Sequence, residues 1–378
     1  MNRLEESLSI LESLVKFPSV SSVSNVEVNQ QVAEYLDRLG FNVSFYAYQD
    51  SAGITKSNLI ASRGEGTGGV AYFCHTDVVP ADDWAGPGDA FTPAILDDRI
   101  YGRGTCDMKG SLVAMLSAIK QVNVSSQTAP IHVICTADEE VGFVGAKELV
   151  ANSPQYRELV RTQPISIIGE PTGCDVVHAH KGIIGFKVIS RGRAAHSSTR
   201  DGLNANIAMV PMIVELLRLH HLTESDPSLQ DSRFDPPTLS WNFGFSDHAR
   251  ALNIVPAKSE AWVSLRTMPS IDGKSLVDAV MAKAQSLGLE FRMEKGGGHV
   301  WIAPDSPTIK AMCELADQAT SKTVCYGTDG GEFAELKHLV ICGPGDIAQA
   351  HTADEYLTFA QLQRGIEIYS RALRKWCV

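Results

Sequence analysis

The 378-residue chain has no CxxC pair, no hydrophobic run long enough to cross a membrane and no excess of positive charge. Each absence removes a class of function. The eight cysteines, at 74, 106, 135, 174, 313, 325, 342 and 377, show no metal-finger spacing, and several stand inside apolar runs such as Ala71-Tyr72-Phe73-Cys74. A disulfide framework and a zinc–thiolate site are set aside, and reduced, mostly buried thiols in a cytoplasmic protein are expected. The longest apolar run, Ile207 to Val214, contains Pro211 and is followed by Glu215, well short of the ~20 residues of a membrane span. The polar opening, with Arg3, Glu5 and Glu6, lacks the apolar stretch of a signal peptide. With 44 acidic against 33 basic residues and a net charge of −11, neither nucleic acid nor an anionic membrane is expected as partner. What is present is ordinary globular material: 44% of the residues are hydrophobic, which excludes a disordered chain. The length exceeds what one core normally serves, so two domains are expected.

The pattern of apolar runs shows how they are arranged. Helices are expected over Leu4 to Val15 and Glu27 to Leu39, followed by a strand after Gly40. Short apolar runs come next at Gly69–Cys74, Ile131–Ala137, Ile165–Gly169 and Leu339–Cys342, and a buried helix, KGSLVAMLSAIKQV, lies between the first two. Apolar strands alternating with helices indicate an α/β domain whose largely parallel sheet is covered on both faces. Residues 180–293 change rhythm to β-α-β-β-α-β, an α+β insert with His221 to Pro237 as a loop. The expected domains are 1–179 with 294–378, and 180–293.

Chemistry-bearing residues follow the strands. His75-Thr76-Asp77 follows the first run, Asp107 precedes the buried helix, Asp138-Glu139-Glu140 follows the second run, Glu170 the third, and His351 closes the loop after the fourth. Ligands in open α/β sheets bind beyond the carboxyl ends of the strands. Two imidazoles with several carboxylates suit zinc, cobalt or manganese, and they suffice for two ions ~3.5–4 Å apart that share one carboxylate. Singly, each residue has a plainer reading: a surface histidine, a solvated Glu139-Glu140 turn, an Asp107 that caps its helix. Five loops converging on one edge favour the metal site. Asp77 either orients the His75 imidazole by accepting its second N–H or is an ordinary turn residue.

HTDVVP, YGRGTCDMKG, TADEEVG, GEPT, HAHKG and GRAAHSS, in that order along the chain, resemble the dinuclear-zinc aminoacylases and exopeptidases of the peptidase M20 family. CGPGDIAQAHTADEYL is most similar to the acetylornithine deacetylases within it. The resemblance implies two divalent metal ions, zinc with cobalt as the alternative. His75 and Glu170 would hold one, Glu140 and His351 the other, and Asp107 would bridge them. It makes Glu139 the general base, Asp77 the partner of His75, and His196 of the insert the oxyanion donor. Arg266 and Asn253 would bind a substrate carboxylate, and Gly327 would lie in a substrate loop. Asp329, with Glu332 nearby, would either attract the cationic amine of ornithine or cap a helix. The insert would serve as lid and homodimer interface. The activity implied is removal of the acetyl group from N2-acetyl-L-ornithine, giving acetate and L-ornithine for arginine synthesis. Alternatives are a deacylase of another N-acyl amino acid (acetylcitrulline, succinyl-diaminopimelate), a small-peptide carboxypeptidase, or a non-catalytic amino-acid-binding protein. Glu139 speaks against the last, since a binder needs no base.

Overall fold

Strands of unbroken apolar sequence need cover on both faces. The computed structural model, which describes residues 3–248 and 251–378, supplies it with helices. The chain divides into two compact units, one made of His180–Val300 with Thr323–Gly327, the other of the residues before, between and after them.

The larger unit opens with α1 (Arg3–Val15) and α2 (Val26–Arg38), then β1 (Asn42–Gln49), β2 (Thr55–Arg63) and β3 (Val70–His75). The short β4 (Ala94–Leu96) and β5 (Arg99–Tyr101) precede α3 (Lys109–Ile119), and β6 (Ile131–Thr136), α4 (Val144–Asn152), α5 (Pro154–Thr162), β7 (Ile165–Ile168) and β8 (Val177–His180) follow. In the insert come β9 (Ile183–Arg191), α6 (Ala205–Ser225), β10 (Asn242–Ser246), β11 (Lys258–Leu265), α7 (Lys274–Ser286) and β12 (Glu290–Gly297). The chain finishes with β13 (Val300–Trp301), α8 (Pro307–Leu315), β14 (Lys322–Val324), β15 (Leu339–Ile341), β16 (Tyr356–Thr358) and α9 (Phe359–Cys377).

The main sheet runs β1-β2-β6-β3-β7-β15-β8-β13, with β14 paired to β8. Its centre, β6-β3-β7-β15, is parallel, whereas β1 and β2 are antiparallel, as is β8 against β15. The sheet is therefore mixed, with its parallel part at the centre. A tight turn sets β1 against β2: Asp50 Oδ1 accepts the amides of Ala52 and Ile54 (2.8 and 2.9 Å), and a turn that short joins only antiparallel strands. Every residue of β3, β6 and α3 is buried. Ser153 and Ser306, each followed by proline, accept amide protons at the starts of α5 and α8.

The insert forms a second, antiparallel sheet of order β10-β11-β9-β12. Its elements follow the β-α-β-β-α-β order read from the sequence, but the unit extends past residue 293 because β12 stays paired to β9 through Gly297. The expected loop His221–Pro237 begins late, since α6 continues to Ser225. Met212, Leu216, Leu219 and Thr223 are buried at helical spacing, and that stripe carries the helix on. Seven cysteines are buried and Cys325 is exposed, all as free thiols. No helix among the described residues is long and apolar enough to cross a membrane.

Leu112 is fully buried on α3, and its amide donates to the carbonyl of Met108, the residue after Asp107. Leu112→Ala is expected to lower stability by about 2–5 kcal/mol through the cavity left behind, measured as an earlier urea midpoint by circular dichroism.

Candidate metal centre

β3 ends in His75, buried and held by both ring nitrogens. Nδ1 donates to the main-chain carbonyl of Asp77 at 2.8 Å, and Nε2 lies 2.9 Å from Asp107 Oδ1. The carboxylate of Asp77 is 3.9 Å from Nδ1. It is not the acceptor that the sequence suggested. It takes the Ser21 hydroxyl (2.7 Å) and the amides of Glu139 (3.2 Å) and Glu140 (3.4 Å) instead, so Asp77 orients the imidazole with its carbonyl and the acidic turn with its side chain.

Asp107 lies between the two histidines, its Oδ2 being 3.3 Å from His351 Nε2. His351 Nε2 is also 3.0 Å from Glu140 Oε2. His351 and Asp138 both adopt positive φ, 63° and 55°, a conformation rare outside glycine and concentrated at functional sites. Asp107 is positioned from behind by a residue the sequence reading did not assign. Glu355, fully buried, accepts the amides of Gly104 (3.1 Å), Cys106 (2.8 Å) and Asp107 (3.0 Å) and pairs with Arg103 at 2.7 Å. The signal was present as opposite charges in GRGTCD and HTADEYL.

Ligand atoms of His75, Asp107 and Glu170 lie within 4.8 Å of one another, as do those of Asp107, Glu140 and His351, and those of His75, Glu139 and Glu140. Asp107 is common to the first two groups. Their electrostatics fit a cation. Burial pushes Glu139 and Glu170 well above the usual carboxylate range and raises Glu140 as well. Burial acts against ionised Asp107 too, but hydrogen bonds from His351 and His75 keep it below that range. The His75 imidazolium is opposed by burial, yet the hydrogen bond and charge of Asp107 hold its pKa well above normal. Hydrogen bonds to Asp107 and Glu140 bring His351 up to about 10. Crowded carboxylates around two imidazoles in a low-dielectric pocket constitute a nitrogen–oxygen donor set for divalent ions.

Asp329 also belongs to this unit, but its carboxylate is not open to solvent. It is 4% exposed, accepts the Thr136 hydroxyl at 2.5 Å, and burial raises its pKa to about 7. Its carboxylate meets the Thr136 hydroxyl, and Thr328, the residue before it, caps the short helical turn that Asp329 opens. The remaining candidates lie in the smaller unit. His196 is exposed, and the Ser198 hydroxyl (2.7 Å) and amide (3.3 Å) both meet its Nδ1, leaving the ring proton on Nε2. Asn253 is exposed next to it, its carbonyl accepting the Ser197 amide at 2.9 Å. Arg266 is half-buried just past β11, and Gly327 ends the segment Thr323–Gly327.

Comparison with known proteins agrees with this geometry. The profile of peptidase family M20/M25/M40 matches residues 71–375. An acetylornithine deacetylase of Vibrio cholerae serotype O1 is 30% identical, the match covering 98% of each chain. One from Proteus mirabilis is 29% identical over 100% of this chain and 98% of its own. Among solved structures, an M20 family metallo-carboxypeptidase from Sulfolobus solfataricus superposes with a TM-score of 0.78 over 99% of both chains at 18% identity. The chain belongs to peptidase family M20/M25/M40 and is an amide hydrolase.

Proposed function

We propose that this protein removes the acetyl group from N2-acetyl-L-ornithine, releasing acetate and L-ornithine. The observation that carries the reading is the pair of donor groups sharing Asp107, with the Glu139 carboxylate beside them. Full-length similarity to acetylornithine deacetylases supports this choice of substrate. His75 and Glu170 would hold one divalent ion, Glu140 and His351 a second, and Asp107 both; the donor chemistry suits zinc, with cobalt as the alternative. Bound there, such ions supply Lewis acidity that polarises the amide carbonyl and brings the pKa of water toward ~7.

The chain's own residues do the rest. Glu139 takes the proton of the attacking water and returns it to the departing amine nitrogen, a task suited to a carboxyl group whose pKa burial has raised. His196 offers Nε2–H to the developing oxyanion. Arg266 pairs with the substrate carboxylate, with Asn253 as a second polar contact, and Gly327 leaves room for the substrate backbone. Asp77 fixes the ring of His75 and the amides of the acidic turn.

The partner of the smaller unit is a second copy of the chain. Ile207, Val210, Val214 and Leu217 stand 73%, 59%, 62% and 44% exposed at helical spacing along α6, one apolar stripe turned to solvent. At the edge of the sheet, β10 carries Phe245 and pairs only with β11 among the described residues, and Asn206 of α6 reaches Asp247 just past it at 2.8 Å. An edge strand and a helical stripe together make a self-complementary surface for a two-fold dimer.

Four measurements test this. Amide hydrolysis, followed as acetate released or as succinate for the last substrate, is expected to show a higher kcat/KM for acetylornithine than for acetylcitrulline, acetylmethionine and succinyl-diaminopimelate. Glu139→Gln should lose about 10²–10⁴-fold of that turnover with its metal content unchanged; normal turnover by the variant would remove the base assignment. Chelated protein titrated with zinc at pH 7 should release protons, and its apparent affinity should weaken as pH falls. Carboxylate neighbours raise the pKa of both imidazoles, so protons compete with metal for their nitrogens. An indicator-dye trace with no release counts against them as ligands. Finally, Val210→Glu with Val214→Glu should convert a dimer to a monomer in light scattering coupled to size exclusion.

A further inference from the structure

No hydrogen bond from a described residue reaches the Glu139 carboxylate, so the aim of this side chain is set by the main chain of its turn. The turn begins at Asp138, whose φ of 55° is kept by a non-glycine residue only where neighbours over-determine it. The neighbours come from the β1–β2 hairpin, which has no part in the chemistry described so far. Its register sets Tyr48 directly opposite Lys56, so the two side chains leave the same face. Both grip one carboxylate: Tyr48 donates to Asp138 Oδ2 at 2.8 Å, and Lys56 Nζ lies 2.8 Å from Oδ1. Lys56 is 1% exposed, donates to the carbonyls of Ser21 (2.5 Å) and Val23 (2.8 Å), and has the Asp50 carboxylate at 3.8 Å as a second, longer ion pair.

From the other side, Asp77 holds the amides of Glu139 and Glu140 while Ser21 donates to its carboxylate. Ser21 thus joins the two clamps, its carbonyl on Lys56 and its hydroxyl on Asp77. The acidic turn is fixed at its side-chain end and at its amide end by one buried polar network.

We propose that Lys56, with Tyr48, is a positioning residue for Glu139: by anchoring Asp138 to the β1–β2 hairpin and to the Ser21–Val23 segment, it fixes where the base stands. A buried ion pair is not in itself a gain in stability, because desolvation offsets the attraction. This one lies one residue from the group that moves the proton, where a misplacement of about 1 Å costs ~10²-fold in rate. The inference rests on amide hydrolysis at this centre.

The test uses full-length protein saturated with metal and assayed well below its melting temperature. Lys56→Met should lower kcat about 10²-fold, with KM within about twofold and metal content retained. Tyr48→Phe, which leaves no charge stranded, should lower kcat several-fold. In the double variant Lys56→Met, Asp138→Asn, the unpaired buried charge is gone, so the melting temperature should recover while kcat stays low. In cobalt-substituted protein the visible bands of Lys56→Met should shift, since Glu140 shares the turn. Wild-type kcat in folded Lys56→Met, recovery of kcat together with melting temperature in the double variant, or a defect abolished by excess metal would each overturn the proposal. A wild-type protein that hydrolyses no acyl amino acid would refute the underlying function instead, and that control separates the two failures.

Discussion

Like charge gathered out of water is the constraint around which this protein is built. His75, Asp107, Glu139, Glu140, Glu170 and His351 crowd one sheet edge, and all but His351 are buried or nearly so. Carboxylates so placed repel one another and resist ionisation, and only opposite charge or many hydrogen bonds relieve the strain. The structure supplies relief locally: Asp107 is gripped by two imidazoles, Asp77 by a hydroxyl and two amides, Glu355 by three amides and a guanidinium. The remaining acids are left for what binds there. A site whose negative charge is only partly answered by protein selects cations by its electrostatics before any detail of ligand geometry.

Much of this was legible in the sequence because it depends on local rules. Unbroken apolar runs such as Val70–Cys74 mark strands buried on both faces, and an acid or a histidine directly after such a strand stands at its carboxyl end. The order of elements in the insert could be read likewise, since its alternating strands and amphipathic helices keep their periods. The end of α6 was missed because Leu222 and Thr223 continue a helical stripe through a segment of polar appearance.

What the sequence hid were pairings across great distances along the chain. Nothing about Glu355 by itself says that it will collect the amides of a loop some 250 positions earlier. Lys56 looks like a strand-edge lysine bound for solvent, and only the fold turns it inward onto Asp138. Asp77 shows the same limit at shorter range: its position beside His75 was clear, but which of its oxygens meets the ring depends on backbone torsion. Asp329 shows it for burial, since nothing near it in the chain tells that its carboxylate will be covered and set against the Thr136 hydroxyl. Residue type gives the chemistry available, and burial decides whom it serves.

The interruption of the larger unit by the smaller has a consequence for biosynthesis. Residues 180–300 form one continuous stretch and can close upon themselves while the chain is still leaving the ribosome. The larger unit cannot. Its sheet lacks β15 until residue 341, its centre lacks His351, and the side of α3 not covered by α1 stays bare until α9 lays Tyr369 against Ser111 and Cys342. The first half of that core must therefore wait, apolar strands already made, until residues 339–377 have been translated, and the nascent polypeptide is at its most vulnerable to aggregation or chaperone capture in that interval.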